Sequence, residues 1–260
     1  MRFDLKLFSE LNVEYKSKPL VRRPPVYKKS RIAQSGNRRA ATLNSKYSLS
    51  GKRVVEIGCG RGETCRAIAK ACGCEIVGID IERYPHWEGS PTDGVTLLQA
   101  DLSKGVPAGL GLFDFACSFA VWEHVRHPFA MLKAVHGLLK PGASFHFIAN
   151  LYRGPKASHR YRQVYFPWPH LLFADEVFED YYVSIGQKPQ RAAWVNQLSI
   201  ADYFRYFDMV GFECRDVRYD MTPIDEPFYQ RFEDKLSRFP RFDLERDFIH
   251  ATLTRGRRSA

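Results

Sequence analysis

Apolar runs and amphipathic segments alternate along the first 150 residues of the chain. Residues 63–71 and the segment that begins at Pro128 place apolar side chains at helical spacing, and Lys140-Pro141-Gly142 is predicted to end the second helix. Other apolar runs have the length of buried β-strands: residues 54–57, 75–80, 95–102, 113–119 and 144–149. Strands that alternate with helices indicate an α/β domain with a mostly parallel sheet.

The pattern changes after residue 150 and becomes aromatic and cationic. Two prolines exclude a regular helix from Phe166 to His170, whereas residues 174–182 favour a short one. Residues 151–198 are too long for a connection within a compact α/β core, so we interpret them as an insertion. Because ligands lie beyond the carboxyl ends of parallel strands, the insertion is predicted to cap the substrate side of a site. The alternative is that its aromatic side chains only pack against the domain.

Regular patterns return after the insertion. We predict an amphipathic helix that Gly211 ends, then a strand, a short helix and a last strand: residues 199–210, 212–219, 229–236 and 248–253.

A glycine-rich turn follows the first predicted strand. Residues 54–62 read VVEIGCGRG, with an acid at Glu56 and glycines at Gly58, Gly60 and Gly62. Glycines let the backbone turn tightly and approach a ligand without a Cβ in the way, and a strand, a glycine turn and a helix start together make a small-ligand site. The third glycine comes one residue earlier than in the dinucleotide fingerprint Gly-x-Gly-x-x-Gly, which argues against a pyrophosphate ligand.

Two more acids close the next predicted strands. Asp80 lies about twenty residues after the glycine turn, where α/β nucleotide sites place the carboxylate that binds the ribose hydroxyls. Asp101 ends the third strand in the sequence Ala-Asp-Leu. Either acid alone could be a helix cap or a turn residue, but their common position after successive strands predicts a binding site.

These motifs resemble those of the class I S-adenosylmethionine (SAM)-dependent methyltransferases, whose motif I reads acid-x-Gly-x-Gly-x-Gly. The resemblance implies a Rossmann-like, seven-stranded and mostly parallel sheet with an antiparallel final strand and helices on both faces. It also implies that Glu56 contacts the ammonium of SAM, that Asp80 binds its ribose, and that Asp101 and Leu102 meet its adenine. The cofactor-binding residues implied in this way are Glu56, Gly58, Cys59, Gly60, Gly62, Asp80, Ile81, Asp101, Leu102 and Phe119.

The segment Trp122-Glu123-His124-Val125 and the Lys-Pro-Gly after the next helix resemble the small-molecule branch of this family, near the ubiquinone-type O-methyltransferases. Some members of that branch bind a metal through Glu-x-x-Glu-His. This chain has Ala120 in place of the first Glu, and two ligands make a poor metal site, so no metal is expected.

The resemblance implies methyl transfer to a small organic acceptor, most simply a hydroxyl of a sugar or natural product. Residues 118–121, Ser-Phe-Ala-Val, do not match the Asn/Asp-Pro-Pro-aromatic motif of nucleic-acid amino methyltransferases. A hydroxyl acceptor requires a base, and His159 or His170 in the insertion is favoured over His127 by location, although each could be only structural. The alternatives are an RNA methyltransferase and a non-catalytic SAM-binding protein.

The charge of the chain is concentrated at one end. Residues 1–53 carry a net charge of +11 and residues 54–260 a net charge of −1. We therefore separate a basic N-terminal arm, residues 1–48, from a methyltransferase domain, residues 49–260. The arm could hold nucleic acid, although this is not the favoured partner, and it could equally be a solvated leader.

The remaining composition predicts a cytoplasmic protein. The six cysteines form no Cys-x-x-Cys pair and fall mostly within apolar patterns, as expected of reduced, buried thiols. No run of 18 apolar residues predicts a membrane span, and the N-terminal residues lack the apolar stretch of a signal peptide.

Overall fold

A computed structural model describes residues 2–24, 29–88 and 93–256, with residues 29–33 described by their backbone alone. The β-strands are β1 (Arg53–Ile57), β2 (Glu75–Asp80), β3 (Val95–Gln99), β4 (Phe113–Phe119), β5 (Leu139–Asn150), β6 (Phe212–Met221) and β7 (Arg246–Arg255). The α-helices are α1 (Leu5–Glu14), α2 (Lys29–Tyr47), α3 (Glu63–Cys72), α4 (Pro128–Leu138), α5 (Pro169–Leu172), α6 (Asp175–Ser184), α7 (Ile200–Val210), α8 (Glu226–Arg231), α9 (Glu233–Leu236) and α10 (Arg241–Leu244).

The seven strands form one sheet in the order β3-β2-β1-β4-β5-β7-β6. Strands β1 to β5 pair in parallel. Strand β7 is antiparallel to β6, as two hydrogen bonds show. At one end of the pair, Thr222 N donates to Glu245 O at 2.8 Å. At the other end, Gly256 N donates to Gly211 O at 3.5 Å. The predicted Rossmann-like sheet with an antiparallel last strand is therefore confirmed.

The chain divides into two compact units. The sheet unit consists of residues 26–149, 201–218 and 250–260, and the insertion unit consists of residues 1–25, 150–200 and 219–249. Both units are discontinuous in sequence, so each combines early and late parts of the chain.

The core of the sheet unit forms where helices cover apolar strands. Val54 and Phe115 of the central strands are buried with Ile68 of α3. Helix α2 adds Ala40 and Leu43 to the same cluster, and it lies close to α3, since a Cβ on Gly36 would stand 3.3 Å from the Ala67 Cβ. Such close contact requires a small residue on each helix.

The core of the insertion unit is built from aromatic rings. Phe8 of α1 is fully buried, and its ring centroid lies 5.0–5.2 Å from those of three phenylalanines and 4.7 Å from that of Tyr181. The phenylalanines are Phe166, Phe173 and Phe178. These rings are therefore packed among themselves in the core of the insertion unit.

Helices α1 and α2 were not predicted, because residues 1–48 were interpreted as one basic arm. The structure assigns residues 1–25 to the insertion unit and α2 to the sheet unit. The physical reason is the apolar face of each helix: Phe8 and Leu11 are fully buried on α1, and Ala40 and Leu43 are buried on α2.

Two local predictions also differ from the structure. Helix α4 ends at Leu138, and Lys140-Pro141-Gly142 belongs to β5, where Leu139 pairs with Phe113 before an irregularity in the register. A one-turn helix begins at Pro169, within the segment from which helix was excluded, because proline is tolerated in the first turn of a helix. Among the described helices, none is long and apolar enough to cross a membrane.

Candidate active site

A cavity of about 820 Å³ lies in the sheet unit at the carboxyl ends of β1 to β4. This volume is within the range of about 300–1,000 Å³ that is typical of cofactor and small-molecule sites. Half of the predicted cofactor-binding residues line it, namely Gly58, Asp80, Ile81, Asp101 and Leu102. The other half belong to the glycine turn or to strands β1 and β4, namely Glu56, Cys59, Gly60, Gly62 and Phe119.

The glycine turn requires glycine for two separate reasons. Gly58 has φ 74°, and a Cβ there would stand 2.3 Å from Val121 Cγ2, which is closer than real atoms approach. Gly60 has φ 52°, a left-handed conformation, but a Cβ there would meet no atom within 4 Å. The first glycine therefore allows close packing, and the second leaves open space beside the turn.

Asp80 connects the end of β2 to the glycine turn. Its Oδ2 accepts a hydrogen bond of 2.7 Å from Gly60 N, and its Oδ1 accepts one of 3.0 Å from Glu82 N. A carboxylate has about four lone-pair sites, so the two oxygens can still accept hydrogen bonds from vicinal hydroxyls. The residue predicted to bind ribose thus also shapes the turn.

Asp101 is held by its own loop at another wall of the cavity. Its Oδ1 accepts hydrogen bonds from Ser103 Oγ at 2.6 Å and Ser103 N at 3.0 Å, and Lys104 Nζ lies 3.7 Å from its Oδ2. The bond from the Ser103 hydroxyl lowers the pKa of Asp101, so the group is an anion at neutral pH. It can accept a hydrogen bond from an amino group.

Glu56 is the buried acid of the site. Glu56 is only 3% exposed, and its Oε2 accepts a hydrogen bond of 2.9 Å from Cys65 Sγ. Burial raises the pKa of Glu56 to about 7, although the bond from Cys65 and the positive charge of Arg39 oppose this shift. The carboxyl group therefore changes its charge within the physiological pH range.

Arg39 of α2, which no motif singles out in the sequence, contacts Phe119, one of the predicted cofactor-binding residues. Its guanidinium lies 4.3 Å from the centroid of the Phe119 ring, and its Nη1 donates to Thr64 Oγ1 at 3.2 Å. Burial is the main cause that lowers its pKa, and the charge of Glu56 raises it. A signal was present in the sequence, since the residues at 36, 40, 43 and 47 recur at helical spacing and place Arg39 beside an apolar face.

The two histidines predicted as bases belong to the insertion unit and have different surroundings. His170 Nε2 donates to Tyr152 O at 2.7 Å, and burial lowers the pKa of His170 to about 4. His159 Nε2 lies 3.1 Å from Asn150 Oδ1, and Asn150 Nδ2 donates to Asp247 O at 2.8 Å. Because the amide nitrogen of Asn150 is already a donor to Asp247, its oxygen faces His159, and His159 Nε2 carries the proton.

No group of three or more side chains suited to a metal ion occurs within residues 2–24, 29–88 and 93–256. His124 lines the cavity, while Glu123 is buried beside it in the chain and is 1% exposed. The six cysteines are all free, and five of them are buried, as predicted for reduced thiols.

Residues 29–217 match the family described as "Methyltransferase domain". The chain belongs to this family. The domain is a class I SAM-dependent methyltransferase domain, as the motifs around Gly58, Asp80 and Asp101 predicted.

The chain is also similar in sequence to curated proteins that are named as O-methyltransferases. The ubiquinone biosynthesis O-methyltransferase of Pseudomonas aeruginosa (strain LESB58) is 31% identical over 123 residues, which cover 44% of this chain and 51% of that protein. The chain thus spans about half the length of the curated relatives it matches.

Solved structures share the fold at low sequence identity. A SAM-dependent methyltransferase from Mesorhizobium loti has a TM-score of 0.55 and 20% identity, and the match covers 83% of this chain and 96% of that one. The [4+2]-cyclase SpnF has a TM-score of 0.56 and 13% identity, with 96% and 94% covered.

Proposed function

We propose that the chain transfers the methyl group of SAM to a hydroxyl group of a small organic acceptor such as a sugar or natural product. The observation that carries this proposal is the cavity at the carboxyl ends of β1 to β4, where Gly58, Asp80 and Asp101 meet in a domain of the methyltransferase family. The O-methyltransferase name of the Pseudomonas relative supports oxygen as the acceptor atom.

Charged residues that line the cavity or belong to the sheet unit near the glycine turn can pair with the polar groups of SAM. Glu56 and Arg39 interact electrostatically, and when Glu56 is ionised, one anion beside one cation suits the ammonium and carboxylate of an amino-acid group. Asp80 can accept from ribose hydroxyls, and Asp101 can accept from the adenine amino group. SAM, when bound, supplies a methyl group on a sulfonium that is already activated, so positioning contributes most of the catalysis left to the protein.

For the base, we propose His159 over His170. His159 is only partly buried, and the hydrogen bond of 3.1 Å between its Nε2 and Asn150 Oδ1 orients the imidazole for a role as base. His170 is buried, and a pKa of about 4 makes it a weak base at neutral pH.

The test of the donor site is calorimetric titration of the full chain with SAM. The wild type is expected to bind, and Asp80→Ala is expected to weaken binding by at least tenfold, because it removes both the ribose acceptor and the partner of Gly60 N. Asp208→Ala removes an exposed carboxylate of the same unit and is the matched control. No binding by the wild type would refute the proposed function.

The test of the acceptor uses SAM with a radiolabelled methyl group and a cell extract, fractionated by size after the reaction. Label in the small-molecule fraction is expected, and label only in RNA or protein would overturn the acceptor class. With an acceptor in hand, His159→Gln is expected to lower kcat by about 10²- to 10⁴-fold while SAM affinity stays within about twofold. If His170→Gln causes that loss and His159→Gln does not, the assignment of the base is wrong.

A further inference from the structure

The backbone N–H and the backbone carbonyl of Gly60 each form a hydrogen bond with a side chain of the sheet unit. Its N–H donates to Asp80 Oδ2 at 2.7 Å, and its carbonyl accepts from the indole Nε1 of Trp87 at 2.8 Å. Trp87 ends a 3₁₀ helix, Pro85–Trp87, that follows β2. A single turn of chain after β2 thus contacts the glycine turn that follows β1.

The next peptide of the turn is tied to the same 3₁₀ helix. Arg66 Nη1 donates to Arg61 O at 2.8 Å, and Arg66 Nη2 donates to His86 O at 3.0 Å. Arg66 lies on α3, so its planar guanidinium bridges the glycine turn and the segment that carries Trp87. Two side chains therefore fix two successive carbonyl groups of the turn.

The turn is also held by hydrogen bonds of 2.7 Å and 3.2 Å from Gly58 N and Cys59 N to Ile79 O, but the bracing acts at Gly60, where side-chain packing is absent. Gly60 adopts φ 52°, and no atom lies within 4 Å of where its Cβ would be, so side-chain packing does not constrain the residue. Glycine loses more conformational entropy on ordering than any other residue. A turn that is ordered before the ligand arrives spares that entropy at the moment of binding.

We propose that Trp87 and Arg66 are positioning residues that hold the glycine turn in its SAM-binding conformation and thereby raise the affinity for SAM. Neither residue was implied by the glycine motif. The inference rests on the proposed SAM site, and the two residues act through the backbone of residues 60 and 61.

The first experiment is calorimetric titration of the full chain with SAM and with S-adenosylhomocysteine. Trp87→Phe removes the indole N–H and keeps an aromatic ring, and Arg66→Met removes the bridging guanidinium and keeps an apolar stem. Each is expected to weaken binding by about three- to tenfold, the loss of one or two hydrogen bonds. Arg83→Met is the matched control, because Arg83 belongs to the same segment and its cation pairs with Glu88 at 3.1 Å.

The second experiment measures amide hydrogen exchange of the turn in the absence of SAM. The Gly60 amide, which Asp80 accepts, is expected to exchange about three- to tenfold faster in Trp87→Phe and Arg66→Met than in the wild type or Arg83→Met. This measurement separates the two hypotheses, since it tests the bracing even if the wild type does not bind SAM. If wild-type protein binds SAM, but both variants bind within twofold of it and exchange at the wild-type rate, Trp87 and Arg66 are not positioning residues.

Discussion

At the scale of single residues, Gly58 and Gly60 share a left-handed backbone but differ in their surroundings. Gly60→Ala is expected to lower the free energy of unfolding by about 1–2 kcal/mol, the cost of that conformation for a residue with a Cβ. Gly58→Ala is expected to cost about 1–3 kcal/mol more, because its Cβ would overlap Val121. Urea denaturation of both variants measures the difference.

The double variant Gly58→Ala/Val121→Ala provides the control for the overlap. Relative to Val121→Ala alone, the double variant is expected to lose only the free energy of unfolding that the left-handed conformation of an alanine costs. The additional loss caused by the overlap with Val121 is expected to disappear. Equal destabilisation by Gly58→Ala and Gly60→Ala would show that Val121 does not constrain the turn.

Glu56 makes stability depend on pH in a defined direction. Its folded pKa of about 7 lies above the ordinary value of 4.5, so the folded state binds the proton more tightly than the unfolded state. The stabilisation is fully present below pH 4.5 and is lost as the pH rises to 7, a decrease of about 3 kcal/mol in the free energy of unfolding. In Glu56→Gln this decrease is expected to disappear, as measured by urea denaturation from pH 5 to pH 8.

Glu75→Gln is the control for this pH dependence. Glu75 lies on the neighbouring strand with a side chain that is 76% exposed, and its removal should leave the wild-type decrease intact. A wild-type decrease that persists in Glu56→Gln would assign it to another group.

At the scale of secondary structure elements, Asn12 anchors α1 in the insertion unit. It is 4% exposed, and its side chain donates to Gln163 O at 2.8 Å and accepts from Tyr165 N at 2.7 Å. Asn12→Ala leaves both backbone groups without these bonds, so we expect a loss of about 2–4 kcal/mol in the free energy of unfolding. Val13→Ala, at a position 74% exposed on the same helix, should cost less than about 0.5 kcal/mol.

The sequence predicted best those elements whose apolar pattern directly reflects the burial of the element in the fold. Strands β1, β2 and β4 are short apolar runs buried within the sheet, and they begin and end within one residue of the prediction. The glycine turn and Asp80 were also placed correctly, because strand order brings them to one edge of the sheet. Helices α1 and α2 were missed because their many charges hid the few apolar positions that bury them.

Other differences arose from long-range packing that periodicity cannot report. The insertion is predicted as the segment 151–198, but its aromatic core also includes Phe8 and Phe228, which lie before and after that segment in the sequence. Arg39 falls within the predicted basic arm, because its contacts with Thr64 and the Phe119 ring are made only in the folded chain. The roles of His159 and His170 stay predictions.

At the scale of the whole molecule, the residues of the predicted basic arm are divided between the two compact units. Deleting residues 1–45 would remove α1 from the insertion unit and most of α2 from the sheet unit, so loss of activity would not identify a nucleic-acid contact. Substitution of exposed cations is the cleaner test. Arg22, Arg23 and Arg38 are exposed and belong to this region.

The triple variant Arg22→Gln/Arg23→Gln/Arg38→Gln is expected to bind SAM within twofold of the wild type. RNA binding, followed by fluorescence anisotropy, is expected to be weak in both proteins and to vanish between about 50 and 200 mM salt. Tight RNA binding that survives the higher salt in the wild type and is lost in the triple variant would favour the RNA methyltransferase.

The position of β7 has a consequence for how the protein is made. This strand is the last in chain order, yet it lies between β5 and β6 in the sheet, and Phe8 shares its core with residues as late as Leu244. During synthesis, the aromatic face of α1 can therefore complete its packing only after the residues up to Leu244 have been translated. The sheet closes only when the newest segment inserts between two older strands, a step of high contact order that is expected to be slow. A chain that is cut before β7 should accordingly leave β5 and β6 without the strand that lies between them.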